Sequence, residues 1–443
     1  MDRRDFLRTG LALGGATLAT TTGCATADAA ATPSPAPQAT ATPPAPGSWE
    51  AFRAGFELDH DDIHLSHFLL APHHRSVREA IELYREALDV NPVRALKQYS
   101  SAAEAEVSRA AAAYLGVKPE ELALTDSTTM GLGLVYSGLR LREGEEILTS
   151  TQEHYSTDQS LTLRAERTGA SVRRVSFYTD PERLTEEAAV QGMLQALTPR
   201  TRYVAVTWVY SVSGVKYPVR ALADALAKVN AGRSEDERIL LCVDGVHGLG
   251  AEAETIPQLG CDFFISGCHK WMFGPRGTGF IWGKPSAWQR LVPTIPTFYS
   301  PAVRVWAKDD PPGALPPGPL VTPGGFHSFE HRWALNKAFE LHQRLGRERV
   351  TARVHELNRH LKEELGKMPH VRVRTPMSDS LSAGITCFEV PALKPSEVVK
   401  RLEEKRIITT VSHYVTRYVR AAPGLLNSPE DVEALLREVR AMA

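Results

Sequence analysis

Lys270 lies in apolar surroundings, within the run DFFISGCHKWMFGPRGTGF that extends from Asp262 to Phe280. Lysine side chains are normally solvated. Desolvation disfavours the charged ammonium, so we expect the pKa of Lys270 to be lowered. A neutral amine can attack an aldehyde and form a Schiff base. The sequence therefore predicts covalent carbonyl chemistry at Lys270.

Other polar side chains come directly after predicted strands. Ligands of an open parallel sheet bind at the carboxyl ends of its strands, so these residues are candidates for one common site. The run ILLCVD leads to Asp244 and His247, FFISG to Ser266 and His269, ELALTD to Thr128 and Thr129, and EEILTS to Glu153 and His154. Each such residue alone is more often a cap or turn residue. Their joint order along the chain indicates a site.

These groups together match the requirements of pyridoxal phosphate. That cofactor needs a Schiff-base lysine, a carboxylate opposite its ring nitrogen, a phosphate cup and a partner for its ring face. Lys270 and Asp244 supply the first two. Thr128 and Thr129 begin a predicted helix, where free N–H groups and the helix dipole attract an anion. We therefore predict pyridoxal phosphate as the cofactor.

The elements that must position these residues alternate between strand-like and helix-like segments. Seven short apolar runs fit strands, at residues 121–126, 145–150, 172–177, 202–209, 238–244, 261–267 and 278–283. Helical patterns separate them, which is typical of a mostly parallel sheet covered by helices on both faces. We predict an α/β large domain over residues 48–329. The order of elements changes after it and predicts a smaller α+β domain over residues 330–443.

The N-terminal segment has the features of an export signal. Residues 1–29 contain the pair Arg3 and Arg4, a weakly apolar stretch and a small-residue end, which resembles a twin-arginine leader. Lipidation at Cys24 is the lesser alternative, because Thr21 stands where an aliphatic residue is usual. Residues 30–47 are rich in Pro, Ala and Thr and predict an extended linker. We expect a periplasmic or extracellular location.

Composition limits the remaining classes of function. The 443 residues include 51 basic and 52 acidic side chains, a balance that does not favour binding to nucleic acid. No apolar run is long enough to span a membrane. Four cysteines follow the leader, at positions 242, 261, 268 and 387, and their spacing predicts neither a metal site nor a disulfide scaffold. We expect them to be small buried residues.

The run VDGVHGLG followed by SGCHKWMFGPRGTGF resembles the class-V aminotransferase-fold enzymes. This fold-type I pyridoxal phosphate group contains cysteine desulfurases, kynureninases and isopenicillin N epimerases, and GCHKW is most similar to the epimerase-like branch. The resemblance extends from about Ile63 to the C-terminus. It implies a Schiff base at Lys270 and pairing of Asp244 with the ring nitrogen. It further implies that His247 lies near the ring hydroxyl, that His154 stacks on the ring, that Thr128, Thr129, Ser266 and His269 form the phosphate cup, and that Ser211 contacts the 3-hydroxyl.

The same resemblance implies a homodimer and an arginine for the substrate carboxylate. The arginine corresponds to Arg420, with Arg417 as the rival. TPGGFHSFEH, at residues 322–331, is a loose counterpart of the family's dimer element. A desulfurase would need a nucleophilic cysteine on a C-terminal loop, yet Cys387 lies inside the apolar run ITCFEV.

Three hypotheses for the function follow from these residues. The first is an enzyme acting at Cα of an amino acid, by epimerisation, transamination or elimination. The second is a lyase of a Cβ–S bond with the same cofactor residues, and the third is a non-catalytic binding protein with this fold. Intact Lys270 and Asp244 argue against the third. The substrate is predicted to be an amino acid, and these residues do not identify which one.

Overall fold

The computed structural model describes residues 47–443, and the predicted leader, Cys24 and the linker up to residue 46 lie outside the described residues. The α-helices are α1 (Trp49–Arg53), α2 (Arg75–Val90), α3 (Pro92–Leu115), α4 (Thr128–Gly138), α5 (Tyr155–Thr168), α6 (Glu186–Leu194), α7 (Val219–Asn230), α8 (Ile256–Leu259), α9 (Pro285–Trp288), α10 (Ser300–Ala307), α11 (Pro317–Val321), α12 (Phe329–Leu345), α13 (Arg347–Gly366), α14 (Pro395–Glu403) and α15 (Pro429–Arg440). The strands are β1 (Ile63–His64), β2 (Leu122–Thr125), β3 (Glu146–Ser150), β4 (Ser171–Val175), β5 (Thr201–Thr207), β6 (Leu240–Asp244), β7 (Phe263–Gly267), β8 (Gly279–Gly283), β9 (Arg372–Val373), β10 (Thr386–Glu389), β11 (Ile407–Ile408), β12 (Thr410–Val411) and β13 (Val419–Ala421).

Seven strands form the main sheet, in the order β2-β8-β7-β6-β5-β3-β4. Strand β8 runs antiparallel to both of its neighbours, and the other pairs are parallel. All seven residues of β5 are buried, as expected for a strand that is covered on both faces. The seven strands coincide with the seven predicted runs. The predicted α/β class is confirmed.

Helices cover both faces of this sheet, and alternate side chains of each strand point to opposite faces. In β6, Leu241 and Val243 join one core cluster, and Leu240 and Cys242 join the other. Helices α2, α3, α7 and α12 contribute to the first cluster, and α4 and α5 to the second. The sheet is therefore the middle layer of a three-layer arrangement.

A second sheet of four antiparallel strands, β12-β13-β10-β9, lies in the C-terminal part of the chain. Helices α13, α14 and α15 pack against it around a separate core cluster. This arrangement confirms the predicted α+β class of that part. The run IITTVS, at residues 407–412, divides in two, because Ile407 and Ile408 pair with β1 whereas Thr410 and Val411 pair with β13. The boundary between residues 329 and 330 stays a prediction.

The topology brings the ends of several strands to one edge of the sheet. Strands β3, β5, β6 and β7 run in the same direction, and Thr207 at the end of β5 is the register partner of Asp244 at the end of β6. Strand β2 shares that direction, because both β2 and β7 are antiparallel to β8. Among residues 47–443, no helix combines the length and the apolar character needed to cross a membrane.

Candidate active site

A cleft opens at the carboxyl edge of the main sheet. Its empty volume is about 610 Å³, which includes the open solvent at its mouth. The lining residues are Ser127, Thr128, Thr129, Leu132, His154, Ser156, Thr207, Tyr210, Ser211, Asp244, Val246, His247, His269, Lys270 and Tyr414. Eight of the predicted site residues are among them. Ser266 and Arg420 lie behind the lining layer.

Lys270 follows β7 in a tight turn and faces the cleft. Its Nζ lies 3.4 Å from His247 Nε2. Burial lowers the pKa of Lys270 to about 8, while the Asp244 carboxylate raises it and Arg420 lowers it further. A measurable share of the amine is therefore neutral near pH 8, as a nucleophile of this kind requires.

The turn after Lys270 is held in a strained conformation. The Phe273 N–H donates to the Lys270 carbonyl at 3.0 Å, and Phe273 has φ of 53°. A bulky residue in the left-handed region is uncommon. The Phe273 ring packs against Phe52, Phe56 and His342. This packing holds the turn, and with it the position of the lysine.

Asp244 is buried at the end of β6. Burial raises the pKa of its carboxyl to about 6, while a hydrogen bond from the Val246 N–H, at 3.1 Å, and the charge of Lys270 lower it. A Cβ on Gly245 would lie 1.9 Å from the Phe264 ring, so this turn requires glycine. Asp244 is thus a carboxylate with a fixed position that faces the cleft.

The predicted phosphate cup lies at the N-terminus of α4. Ser127 caps this helix by accepting the Met130 N–H at 3.1 Å, and Thr128 Oγ1 accepts the Gly267 N–H at 2.8 Å. Thr129 Oγ1 lies 3.0 Å from Ser156 Oγ. These contacts place two hydroxyls and the helix N-terminus at one end of the cleft, where an anion is stabilised.

Two further residues of the predicted cup occupy different positions. His269 lines the cleft, and its buried Nδ1 has no protein partner among the described residues. Burial lowers the pKa of His269 to about 4, so the ring is neutral near pH 7. Ser266 is buried behind the cleft and donates its hydroxyl to the Gly267 carbonyl at 2.9 Å. Its assignment to the cup stays a prediction.

His154 lines the cleft at the start of α5. It caps that helix, because its Nδ1 accepts the Ser156 N–H at 3.2 Å. Its ring meets that of Tyr414 edge to face, with centroids 6.2 Å apart. The Tyr414 hydroxyl in turn lies 2.9 Å from Ser211 Oγ. Both the cap and the tyrosine fix the orientation of the imidazole.

Arg420 is buried in the second sheet, with an exposed fraction of 3%. Its guanidinium donates to Thr410 Oγ1 at 3.2 Å and to the carbonyl oxygens of Ser211 and Val411 at 3.2 and 3.0 Å. It also lies over the Phe68 ring at 4.9 Å. Arg420 therefore does not face water, whereas Arg417 is exposed.

Several lining residues were not among the predicted site residues. Thr207 could have been found by the rule that identified Asp244, because it also ends a strand of the main sheet. Tyr210 follows it after a bend. Tyr414 reaches the cleft from the segment between β12 and β13, and no sequence pattern signals that contact. It connects the C-terminal sheet to the site.

The four cysteines of the described region are free and buried, as predicted. Burial raises the pKa of the Cys242, Cys261, Cys268 and Cys387 thiols above the ordinary value. None of them lines the cleft. Cys387 lies within β10, opposite Arg420 in β13. Persulfide chemistry on an exposed cysteine has no support within residues 47–443.

The residues of the cleft fit pyridoxal phosphate. His247 Nδ1 and His269 Nδ1 are buried polar atoms without a protein partner in the described region, so each is available for a hydrogen bond to a polar ligand. A Cβ on Gly267 would lie 2.9 Å from Thr128 Oγ1, so the absence of a side chain there keeps the cup open. Lys270 and Asp244 would hold the aldehyde and the ring nitrogen, respectively.

Comparisons with known proteins support this assignment. A sequence profile of the family Aminotransferase class-V matches residues 71–435. Isopenicillin N epimerase from Streptomyces clavuligerus is 27% identical over 361 residues, which cover 78% of this chain and 85% of that protein. A probable cysteine desulfurase from Vibrio cholerae is 24% identical over 328 residues, covering 71% and 76%.

A solved structure shows the same fold. It is that of the cystine C–S lyase C-DES, in a mutant with glycine covalently linked to its pyridoxal phosphate cofactor. It superposes with a TM-score of 0.77 at 22% identity, over 88% of this chain and 98% of that one. The profile match covers most of the chain, and the chain belongs to the class-V aminotransferase family of pyridoxal phosphate-dependent enzymes.

Proposed function

We propose that this enzyme acts at Cα of an amino acid, as an epimerase or an aminotransferase. The observation that carries the proposal is the pair of Lys270 and Asp244 in one cleft, where desolvation, opposed by the Asp244 carboxylate, lowers the pKa of the lysine to about 8. Pyridoxal phosphate, when bound, supplies an electron sink for the charge that develops at Cα. The protein supplies the base, the fixed charges and the orientation.

Lys270 is the residue assigned to the Cα proton. Its Nζ is the amine that lines the cleft beside Asp244, and its low pKa favours the neutral form that accepts a proton. A hydrogen bond between this Nζ and His247 Nε2, at 3.4 Å, can orient the amine. Burial keeps the pKa of His247 far below its ordinary value, so His247 does not compete as a cation.

The substrate carboxylate is assigned to Arg420. This guanidinium makes three hydrogen bonds within the protein, which leaves two of its five N–H groups. Its charge reaches the site, since it lowers the pKa of both Lys270 and His154. A planar guanidinium can bind a planar carboxylate through two parallel hydrogen bonds, and such binding would fix the orientation of Cα.

A Cβ–S lyase is the second candidate, favoured by the structural likeness to C-DES. It would use the same lysine and aspartate and would differ in the release of a sulfur leaving group. A desulfurase that transfers sulfur to its own thiol needs an accessible cysteine, and the four cysteines of the described region are buried. Epimerase or aminotransferase chemistry remains the first candidate because isopenicillin N epimerase is 27% identical over most of both chains.

The fate of the Cα hydrogen, taken together with the products, distinguishes these candidates. The purified protein, saturated with pyridoxal phosphate, is incubated in D₂O with a panel of amino acids that includes cystine, and NMR follows the Cα hydrogen. We expect washout for at least one amino acid, with inversion or a keto acid identifying the reaction. Lys270→Ala should abolish it, and the surface variant Lys284→Ala should not. Formation of cysteine persulfide, pyruvate and ammonia from cystine, without inversion or transamination of any amino acid, would instead establish the lyase.

We further propose that the enzyme is exported by the twin-arginine route and acts in the periplasm or outside the cell. The support is the order of Arg3 and Arg4, the apolar stretch and the small-residue end in the sequence. A cofactor enzyme must fold around its ligand before export, which is compatible with a route for folded proteins. Lipidation at Cys24 is the lesser alternative.

A homodimer is also proposed. Phe326 lies in TPGGFHSFEH and is 90% exposed, and Phe298 beside it is 72% exposed. The two residues belong to one surface, because the Phe298 ring packs against Gly324. Large exposed apolar side chains in one patch indicate an interaction surface. A second copy of the chain is the proposed occupant.

A further inference from the structure

Glu153 is a buried carboxyl just behind the cleft wall. It follows β3, its exposed fraction is 6%, and it does not line the cleft itself. Three hydroxyls donate to it: Thr207 Oγ1 to Oε2 at 2.6 Å, Tyr210 Oη to Oε1 at 2.7 Å, and Ser150 Oγ to Oε1 at 2.8 Å. Two of these donors, Thr207 and Tyr210, line the cleft.

No lysine or arginine of the described region forms an ion pair with Glu153. The titratable groups that face it are Asp244 from β6, Tyr136 from α4, Tyr210 and Tyr217 from the segment after β5, and Tyr414 from the C-terminal sheet. Burial raises the pKa of Glu153 to about 7, while the three hydroxyl donors lower it. A buried carboxylate without a cation is costly. We therefore expect the Glu153 carboxylate to have a function in the site.

The hydrogen bonds to Glu153 determine the polarity of Thr207. A hydroxyl has one proton, and that of Thr207 is directed to the carboxylate. Only lone pairs of Oγ1 are then available to the cleft. The backbone of Thr207 is fixed as well, because its N–H donates to Tyr210 Oη at 3.3 Å. Thr207 thus becomes an oriented acceptor next to its register partner Asp244.

We propose that Glu153 is a positioning residue that makes Thr207 an obligate hydrogen-bond acceptor in the wall beside Asp244, so that this wall selects a ligand edge carrying an N–H donor. The protonated ring nitrogen of pyridoxal phosphate is a donor of this kind. The inference rests on the cofactor assignment that the proposed function shares. It is independent of the reaction that takes place at Cα.

Replacing the carboxylate by an amide reverses this polarity. In Glu153→Gln the side chain keeps its shape, but its NH₂ group donates where Oε1 or Oε2 accepted. One of the two hydroxyls of Thr207 and Tyr210 must then accept from the glutamine and is free to point its own proton elsewhere. With the NH₂ group at the Oε2 position, Thr207 is that hydroxyl and is no longer an obligate acceptor, while the volume of the wall is unchanged.

The test compares two probes that differ at this edge. Pyridoxal phosphate and its 1-deaza analogue, which has carbon in place of the ring nitrogen, are titrated into cofactor-free protein at about pH 8.5, where Glu153 is ionised. The readout is the ratio of the two dissociation constants, followed by absorbance, so no turnover is needed. We expect Glu153→Gln to reduce the preference for pyridoxal phosphate about tenfold, which is about 1.4 kcal/mol. Thr207→Val should reduce it to a similar extent.

Two variants control for the loss of a buried polar group. Glu252→Gln changes another buried carboxyl, which is paired with Lys216 and His355 and does not line the cleft. Thr149→Val removes a buried hydroxyl that donates to the Ala205 carbonyl in the main sheet. Both should keep the wild-type ratio even where they lower stability.

An unchanged ratio in folded Glu153→Gln or in Thr207→Val, or an equal loss in Glu252→Gln, would overturn the inference. If Glu153→Gln fails to fold, Thr207→Val decides by itself, because it removes the acceptor while Glu153 remains. Wild-type protein that binds pyridoxal phosphate selectively but exchanges no Cα hydrogen would refute the proposed function. That result would leave the role of Glu153 intact.

Discussion

Lys270→Met should stabilise the cofactor-free protein near neutral pH. The lysine is held in the cleft with a single nitrogen neighbour at 3.4 Å, so its charged form is poorly compensated when no cofactor is bound. Methionine has a similar length and carries no charge. Residues selected for chemistry commonly cost stability in this way.

The magnitude follows from the shift of the lysine pKa. Burial lowers that pKa from 10.5 to about 8. At about 1.4 kcal/mol per pKa unit, the charged form costs roughly 3.5 kcal/mol at pH 7. Lys270 is partly exposed to the open cleft, and water there reduces the cost. We therefore expect the free energy of unfolding to rise by about 1–3 kcal/mol in Lys270→Met.

The effect has a defined pH window. Below about pH 8 both the folded and the unfolded wild type carry the proton, and the penalty is complete. Between about pH 8 and 10.5 the folded protein loses its proton first, so wild-type stability rises with pH. Above that range the lysine is neutral in both states. The advantage of Lys270→Met should therefore shrink as the pH rises through this window.

Lys362→Met is the matched control. Burial lowers the pKa of Lys362 to about 8 as well. Its Nζ, however, donates to the carbonyl oxygens of Pro376 and Met377 at 2.8 and 3.1 Å and to Ser382 Oγ at 2.6 Å. Its removal leaves these three acceptors without that donor, two of them in buried hydrogen bonds, which costs about 1–3 kcal/mol or more. We expect this variant to be less stable than wild type.

Denaturant unfolding of the cofactor-free proteins between about pH 7 and pH 10 measures both effects. The reasoning would be refuted by a Lys270→Met variant that is less stable than wild type at pH 7, or by a stability difference that does not change with pH. Destabilisation of both variants to the same extent would show that the two lysines are equally well compensated.

Four further predictions follow from the site and the sequence. Arg420→Lys keeps the charge but loses the planar guanidinium, so substrate should bind more weakly by about 1.5–3 kcal/mol at unchanged cofactor occupancy, as titrated on the absorbance band of the cofactor. A loss of affinity confined to the exposed variant Arg417→Lys would instead assign the substrate carboxylate to Arg417. Replacing the four buried cysteines together by Ser should cost about 1–3 kcal/mol of stability per site but leave the exchange of the Cα hydrogen unchanged. A single cysteine substitution that stops this exchange in stable, cofactor-loaded protein would restore the desulfurase hypothesis. Changing Arg3 and Arg4 to Lys should retain the protein in the cytoplasm upon cell fractionation, and undiminished export would reject the route. Phe326→Ser should shift sedimentation towards the monomer if that side chain is buried by a second copy, and an unaltered dimer would exclude this surface.

The fold was largely predictable because its signals are local. Runs such as ILLCVD and FFISG are short, apolar and separated by helical patterns, and the main sheet forms from them in the expected places. Where a strand pairs with a strand that is distant in the chain, the sequence predicts the strand but not its partner. Nothing within IITTVS indicates that its first two residues pair with β1 near residue 63, since that partner lies more than 300 residues earlier.

Of the site, the sequence alone determined the residues that follow strands. Asp244, His154 and Lys270 reach the cleft because the strands before them run in parallel, so their positions follow from topology once the strands are recognised. The sequence also determined that the cysteines are unsuited to nucleophilic work, since an apolar strand such as that of Cys387 is buried.

Only the tertiary structure decided how those residues are tuned. The burial of Arg420, its contacts with the Ser211 and Val411 carbonyls, and the approach of Tyr414 depend on how the second sheet packs near the cleft. The pKa of Lys270 and the hydroxyls around Glu153 likewise depend on groups from several strands. Desolvation and hydrogen-bond direction are properties of packed neighbours, and neighbours distant in the chain leave no local pattern in its sequence.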